Sequence, residues 1–221
     1  MKSGYGVRRG IVQGLLGAML ALFMPALAAR APADAAAPTR SVLVMGDSLS
    51  AGYGLAASQG WVALTAQKIV REKPGWNVVN ASISGDTSAG GAARIGAQLA
   101  RVRPAVVVIE LGANDGLRGL PLAQTRANLE RMIAASRRAG AKVLLVGMRM
   151  PPNLGREYTQ GFQALFADLA GKYELAFVPF LLEPVAAERG NFQDDDLHPT
   201  AAAQPALRDH VWKALAPLLD R

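Results

Sequence analysis

Serine is a weak nucleophile unless a base takes its proton. The serine in "GDSLSAGYG" (46–54), Ser48, therefore gains chemical meaning only if a histidine can reach it. The chain holds two, His198 and His210. His198 stands in the polar segment "DDDLHPT", whereas His210 falls inside "RDHVWKAL", a helical pattern where it caps a helix face or meets solvent. His198 is the candidate base. Such a base needs an acid to fix its tautomer and stabilise the imidazolium, and Asp194, Asp195 and Asp196 precede it. In a tight turn the residue three positions back reaches the ring, which favours Asp195. These aspartates and His198 are also metal-ligand types, but no second histidine is near and no partner ligand set accompanies them. Neither a metal nor another cofactor is expected.

Acyl transfer also creates an oxyanion that preformed donors must hold. Gly85 in "SISGDTS" lets a backbone N–H approach a substrate closely. Asn114 in "GAND" carries an amide that can donate, and the N–H of Ser48 makes a third donor. Alone, Gly85 reads as a turn residue and Asn114 as a turn or cap residue. The rival reading of the first segment is a phosphate-binding loop, which often carries a lysine. "GDSLSAGYG" has none and contains Asp47. The phosphate reading also leaves the other polar segments unexplained.

These segments are distant in sequence, so the fold must gather them. Short apolar runs alternate with amphipathic stretches from Ser41 onward. Strands are predicted at 41–45, 76–81, 105–111, 142–148 and 175–180, and helices at 61–73, 88–101, 121–139, 157–173 and about 200–218. Pro121 suits a first helical turn and Gly140 a helix stop. "AVVVIEL" is almost continuously apolar, as in a parallel strand covered on both faces. Strands alternating with helices define an α/β chain, an open three-layer α/β/α sandwich on a five-stranded parallel sheet. Right-handed crossovers place every strand C-terminus on one edge, where ligands bind near the switch in strand order. The polar segments follow strands one to five in turn. Leu117, Leu120, Met150, Pro151 and Leu154 lie on the loops after strands three and four.

Taken together, "GDSLSAGYG", "NASISGDTS", "GANDGLRG" and "DDLHPT" resemble the sequence blocks of the SGNH (GDSL) hydrolases, over nearly all of residues 41–218. "SISGDTSAGG", "NDGLRG", "RMPPNLGREY" and "QDDDLHP" are similar to the bacterial thioesterase I/protease I/lysophospholipase branch, which includes arylesterases. The resemblance implies a flavodoxin-like SGNH hydrolase fold and a serine esterase acting on carboxylic esters or thioesters. It implies Ser48 as nucleophile, His198 as base and Asp195 as its partner, with Ser48, Gly85 and Asn114 forming the oxyanion hole. It suggests that Leu117, Leu120, Met150, Pro151 and Leu154 line an acyl groove; ordinary loop packing is the other reading. Ala113 departs from the branch, where glycine is common, and a small effect on loop shape or specificity is expected. A carbohydrate O-acetyl esterase and a non-catalytic small-ligand module are the alternatives.

The 221 residues are 51% hydrophobic and 19% charged, as a globular protein requires. With no cysteine, thiol nucleophiles and disulfides are excluded. The N-terminus combines Lys2, Arg8 and Arg9 with the apolar run "IVQGLLGAMLALFM" and Ala26-Leu27-Ala28. This is the pattern of a cleavable signal peptide over 1–28, followed by an Ala/Pro-rich flexible leader over 29–40 and the hydrolase domain over 41–221. A periplasmic or secreted protein follows. The formal charge of +7 belongs partly to that signal, because its removal leaves 21 basic against 17 acidic residues. Basic residues are scattered without interleaved aromatics, so no nucleic-acid partner is expected. The expected partner is a small-molecule ester or lipid, with at most transient contact with a membrane surface.

Overall fold

The protein is described here by a computed structural model covering residues 40–220. The expected signal peptide, its cleavage site and all of the leader except Arg40 lie outside the described residues. Arg40 is the first residue of a strand.

Apolar runs form the five strands: β1 (Arg40–Gly46), β2 (Trp76–Asn80), β3 (Val106–Glu110), β4 (Lys142–Val146) and β5 (Ala176–Val178). All pair in parallel, in the order β2-β1-β3-β4-β5. Val42–Met45, Val106–Ile109 and Leu144–Val146 are buried because helices cover both faces of these strands.

Among the described residues, seven α-helices connect or flank the strands. They are α1 (Ser48–Ala51), α2 (Trp61–Glu72), α3 (Ser88–Val102), α4 (Ala113–Leu117), α5 (Leu122–Arg138), α6 (Arg156–Tyr173) and α7 (Gln204–Leu219). α2 packs with α7, and α3 with α5, which in turn meets α6. The apolar faces of these helices supply Trp61, Ile69, Leu129, Met132, Ile133, Phe162 and Phe166 to the core. Burying a Leu, Ile or Phe side chain stabilises by roughly 1.5–3 kcal/mol. A layered core of this kind can carry polar groups along one edge.

Boundaries shift by one or two residues at most elements. Pro121 caps α5 from outside rather than sitting in its first turn. Gly140 closes the same helix as expected, with φ of +80°. The last helix starts at Gln204, because Ala201–Ala203 form a 3-10 turn ahead of it.

Chain reversal in this strand order occurs at β1: the chain leaves it toward β2 and returns on its other side through β3. The crevice outside the ends of β1 and β3 is the switch point. Both "GDSLS" and "GANDG" open there.

Candidate active site

β1 ends at Gly46 and hands over to α1. Asp47 caps that helix, its side chain accepting from the Leu49 N–H at 3.0 Å. Ser48 is therefore the first helical residue, where a backbone N–H has no acceptor within the helix. Its side chain is half-buried at the sheet edge.

His198 arrives from the loop between β5 and α7. An antiparallel bridge between Phe192 and Pro199 and a bond from Gln193 N–H to His198 C=O close this loop. Its Nε2 lies 2.8 Å from Ser48 Oγ, and its Nδ1 lies 2.6 Å from Asp195 Oδ2. Asp195 is held in turn by the N–H groups of Leu197 and His198, at 3.0 and 2.9 Å. These backbone donors, the His198 ring and its charge lower the Asp195 pKa to about 2. The carboxylate thus faces Nδ1, which leaves Nε2 free to accept a proton from Ser48. Tyr53 stacks beside the His198 ring, with centroids 4.6 Å apart.

Gly85 lies in the turn after β2, with φ of +78°, closed by a 3.0 Å bond from Asp86 N–H to Ile83 C=O. That is a type II turn, whose third residue favours glycine. Asn114 is the second residue of α4. Gly112, with φ of +121°, makes the bend before it. Ala113 is helical and buried, and its methyl group is accommodated there. Asn114 Nδ2 donates to Asp86 C=O at 3.0 Å and lies 3.3 Å from Asp47 Oδ2. Behind it, Asp115 accepts from the Ser88 N–H at 2.8 Å and from Thr125 Oγ1 at 3.2 Å.

Ser48, Gly85, Asn114 and His198 line one cavity of about 580 Å³. Its walls are largely apolar. Leu117, Met150 and Pro151 belong to them, as the sequence suggested; Leu120 and Leu154 do not. Leu120 follows the turn at Gly119, and its carbonyl takes the Tyr158 hydroxyl at 2.9 Å. Leu154 sits in a 3-10 turn (Pro152–Leu154), packs on the core and borders a separate hollow beside Tyr158. Met148, Phe180, Leu182, Phe192 and Leu197 complete the apolar wall instead. His210 bonds the Phe180 carbonyl at 3.0 Å, away from Ser48.

Two further acids, Asp47 and Glu110, are buried. Burial raises the Asp47 pKa to about 6, against the opposing pull of the Leu49 N–H and the His198 charge. Glu110, at the end of β3, is pushed well above the ordinary range by burial and by its neighbour Asp47.

The open parallel sheet thus brings a serine, a histidine and an aspartate into one hydrogen-bonded series at its switch point. Comparison with known proteins specifies the family. Residues 44–205 match the GDSL-like lipase/acylhydrolase family. Esterase TesA of Pseudomonas aeruginosa is 51% identical over 83% of this chain and 91% of its own length. Thioesterase 1/protease 1/lysophospholipase L1 of Escherichia coli K12 is 43% identical over 84% of this chain and 88% of its own. The crystal structure of the esterase EstA from Pseudoalteromonas sp., inhibited by monoethylphosphonate, superposes with a TM-score of 0.78 at 37% identity, covering 82% of this chain and 100% of that one. The chain belongs to the GDSL-like lipase/acylhydrolase family and is a hydrolase of ester bonds.

Proposed function

We propose that this protein is a serine esterase that cleaves carboxylic esters or thioesters through an acyl-enzyme on Ser48. The observation that carries the reading is the unbroken hydrogen-bonded series Ser48–His198–Asp195 beside an apolar cavity. His198 Nε2 takes the Ser48 proton as Oγ attacks the carbonyl carbon. The resulting oxyanion is held by the N–H groups of Ser48 and Gly85 and the amide of Asn114. His198 then gives its proton to the leaving alcohol or thiol, and the C–O or C–S bond breaks. Water, deprotonated by His198, releases the acid and regenerates Ser48. Asp195 keeps the ring oriented and stabilises its charged form without taking the proton.

The apolar wall supports an acyl chain of medium or greater length, with Leu117, Met150 and Pro151 among its contacts. An arylesterase, acyl thioesterase or lysophospholipase type of activity suits that wall better than removal of acetyl groups from sugars. Among the described residues no helix is long and apolar enough to cross a membrane. The basic and apolar N-terminal segment supports an exported enzyme, periplasmic or secreted.

The test is hydrolysis of p-nitrophenyl esters from acetate to palmitate, alongside palmitoyl-CoA and lysophosphatidylcholine, with Ser48→Ala as control. Serine-dependent turnover rising with chain length beyond acetate is expected. Turnover confined to acetate would favour the sugar deacetylase. No serine-dependent turnover and no labelling by a fluorophosphonate would leave a binding module.

A further inference from the structure

We propose that Arg94 is a positioning residue: through Asp86 it sets the relative placement of Gly85 and Asn114, the oxyanion side of the site. The proposal rests on the esterase reading above.

Arg94 stands on α3 and does not line the cavity. Its guanidinium nevertheless joins both ends of the connection after β2 to the end of β1, at the active edge. Nε and Nη2 each lie 2.8 Å from Asp86 Oδ2. Nη1 donates to the Ala81 carbonyl, just after β2, at 2.5 Å. Nη2 also reaches the carbonyl of Gly46, the last residue of β1, at 3.4 Å. A flat fork with five donors can serve all these acceptors at once, whereas a lysine ammonium cannot. The paired side chains are 17% and 11% exposed, so solvent screens them far less than an ordinary surface pair.

Asp86 carries this restraint to both oxyanion donors. Its N–H closes the turn that contains Gly85. Its carbonyl receives Asn114 Nδ2 at 3.0 Å. Its remaining carboxylate oxygen accepts the Thr87 N–H at 3.0 Å. α3 is bare where that carboxylate enters: a Cβ at Gly90 would fall 1.9 Å from Asp86 Oδ1. The fork therefore fixes one residue whose two backbone groups hold the glycine loop on one side and the asparagine amide on the other. A partly buried ion pair is weak evidence for stability, since desolvation offsets its attraction. Its geometric consequence here is specific: it determines where two donors stand relative to Ser48.

The experiment is a double-mutant cycle of Arg94→Lys with Asn114→Ala on the full chain. Turnover is divided by the number of serines that a fluorophosphonate titrates, so unfolded protein does not count. Asn114→Ala alone should cost ~100- to 1,000-fold in kcat. Arg94→Lys alone should lower kcat per titrated site by ~10- to 100-fold, less than losing a donor outright, and leave KM nearly unchanged. In the Asn114→Ala background its penalty should shrink by at least ~3-fold, because coupled residues are non-additive. Asp86→Asn, which weakens the same pair from its other end, should reproduce the kcat-selective loss should Arg94→Lys fold poorly. Unchanged kcat per titrated site in both variants, or an Arg94→Lys penalty of equal size in both backgrounds, would overturn the proposal while leaving the esterase reading intact. Full turnover in Asn114→Ala would remove that oxyanion role itself, and the proposal with it.

Discussion

Glu110 lies level with Gly46 across the β1–β3 pair, and its carboxyl accepts a 2.6 Å hydrogen bond from Ser50 Oγ. The contact ties the end of one strand to the helix that begins with Ser48. Gly46 is bare for the same reason: a Cβ there would fall 2.6 Å from Ser50 Oγ and 2.9 Å from Glu110 Oε2. Burial and the neighbouring Asp47 raise the pKa of this carboxyl well above the ordinary range, which favours its neutral form.

Glu110→Gln keeps the length, the neutral charge and an acceptor for Ser50. It should leave stability within ~1 kcal/mol of the parent, whereas Glu110→Ala should cost ~2–4 kcal/mol by leaving a cavity and an unpaired hydroxyl. Urea denaturation of both variants measures the difference. Equal losses would show that the carboxyl group itself, which glutamine does not reproduce, is what the site requires.

Asp47 predicts a pH dependence of stability. Its pKa rises from 3.8 to about 6, chiefly through burial. Between those values the native state holds a proton that the unfolded chain has released. Stability should therefore fall as pH rises through that window and level off above it. Asp47→Asn retains an acceptor for the Leu49 N–H and should flatten this segment of the curve. Denaturation midpoints at a series of pH values test the point; an unchanged slope in the variant would assign the proton to another group.

The sequence reveals the reacting groups more readily than their surroundings. With no cysteine and two histidines, one of them inside a helical pattern, few combinations could activate a serine, and Ser48, His198 and Asp195 do meet. The strands were legible because buried parallel strands read as apolar runs. Periodicity carries little information on short elements, so α1 and α4 escaped notice. Nor does it say which way a loop side chain turns, which is why Leu120 and Leu154 fall outside the cavity while Leu197 and Phe180 fall inside. Glu110 did leave a signal, a lone charge in "AVVVIEL", but the apolar neighbours hid it. Arg94 and Asp86 left none, because their pairing depends on how α3 leaves its loop.

The network behind Asn114 predicts a stability effect. Asp115 is 1% exposed and takes two donors from Ser88 and one from Thr125, while Asn128 Nδ2 donates to Ser88 Oγ at 3.0 Å. Asp115→Ala would strand the Ser88 N–H and two hydroxyls in the interior. Each buried polar group left unsatisfied costs roughly 1–3 kcal/mol, and those able to find new partners reduce the sum. A loss of about 3 kcal/mol or more is expected by urea denaturation. A loss below ~1 kcal/mol would mean that the three donors re-pair readily.

Gly116 and Met150 predict a change in chain-length preference. A Cβ at Gly116 would fall 2.2 Å from Met150 Sδ, and Met150 forms part of the apolar wall. Alanine suits a helix better than glycine by roughly 0.8–1.0 kcal/mol. Met150, unbranched and flexible, can swing aside, so Gly116→Ala should fold about as stably as the parent. The displaced thioether would then occupy space that a long acyl chain needs. Removing room for one or two methylenes is worth roughly 1–3 kcal/mol, or 10- to 200-fold in kcat/KM. The variant should lose that much on p-nitrophenyl decanoate and little on the acetate, which reaches less far along the wall. Equal losses on both esters would place the effect at Asn114, two residues away in the same helix. Unchanged kcat/KM on both would remove Met150 from the acyl path.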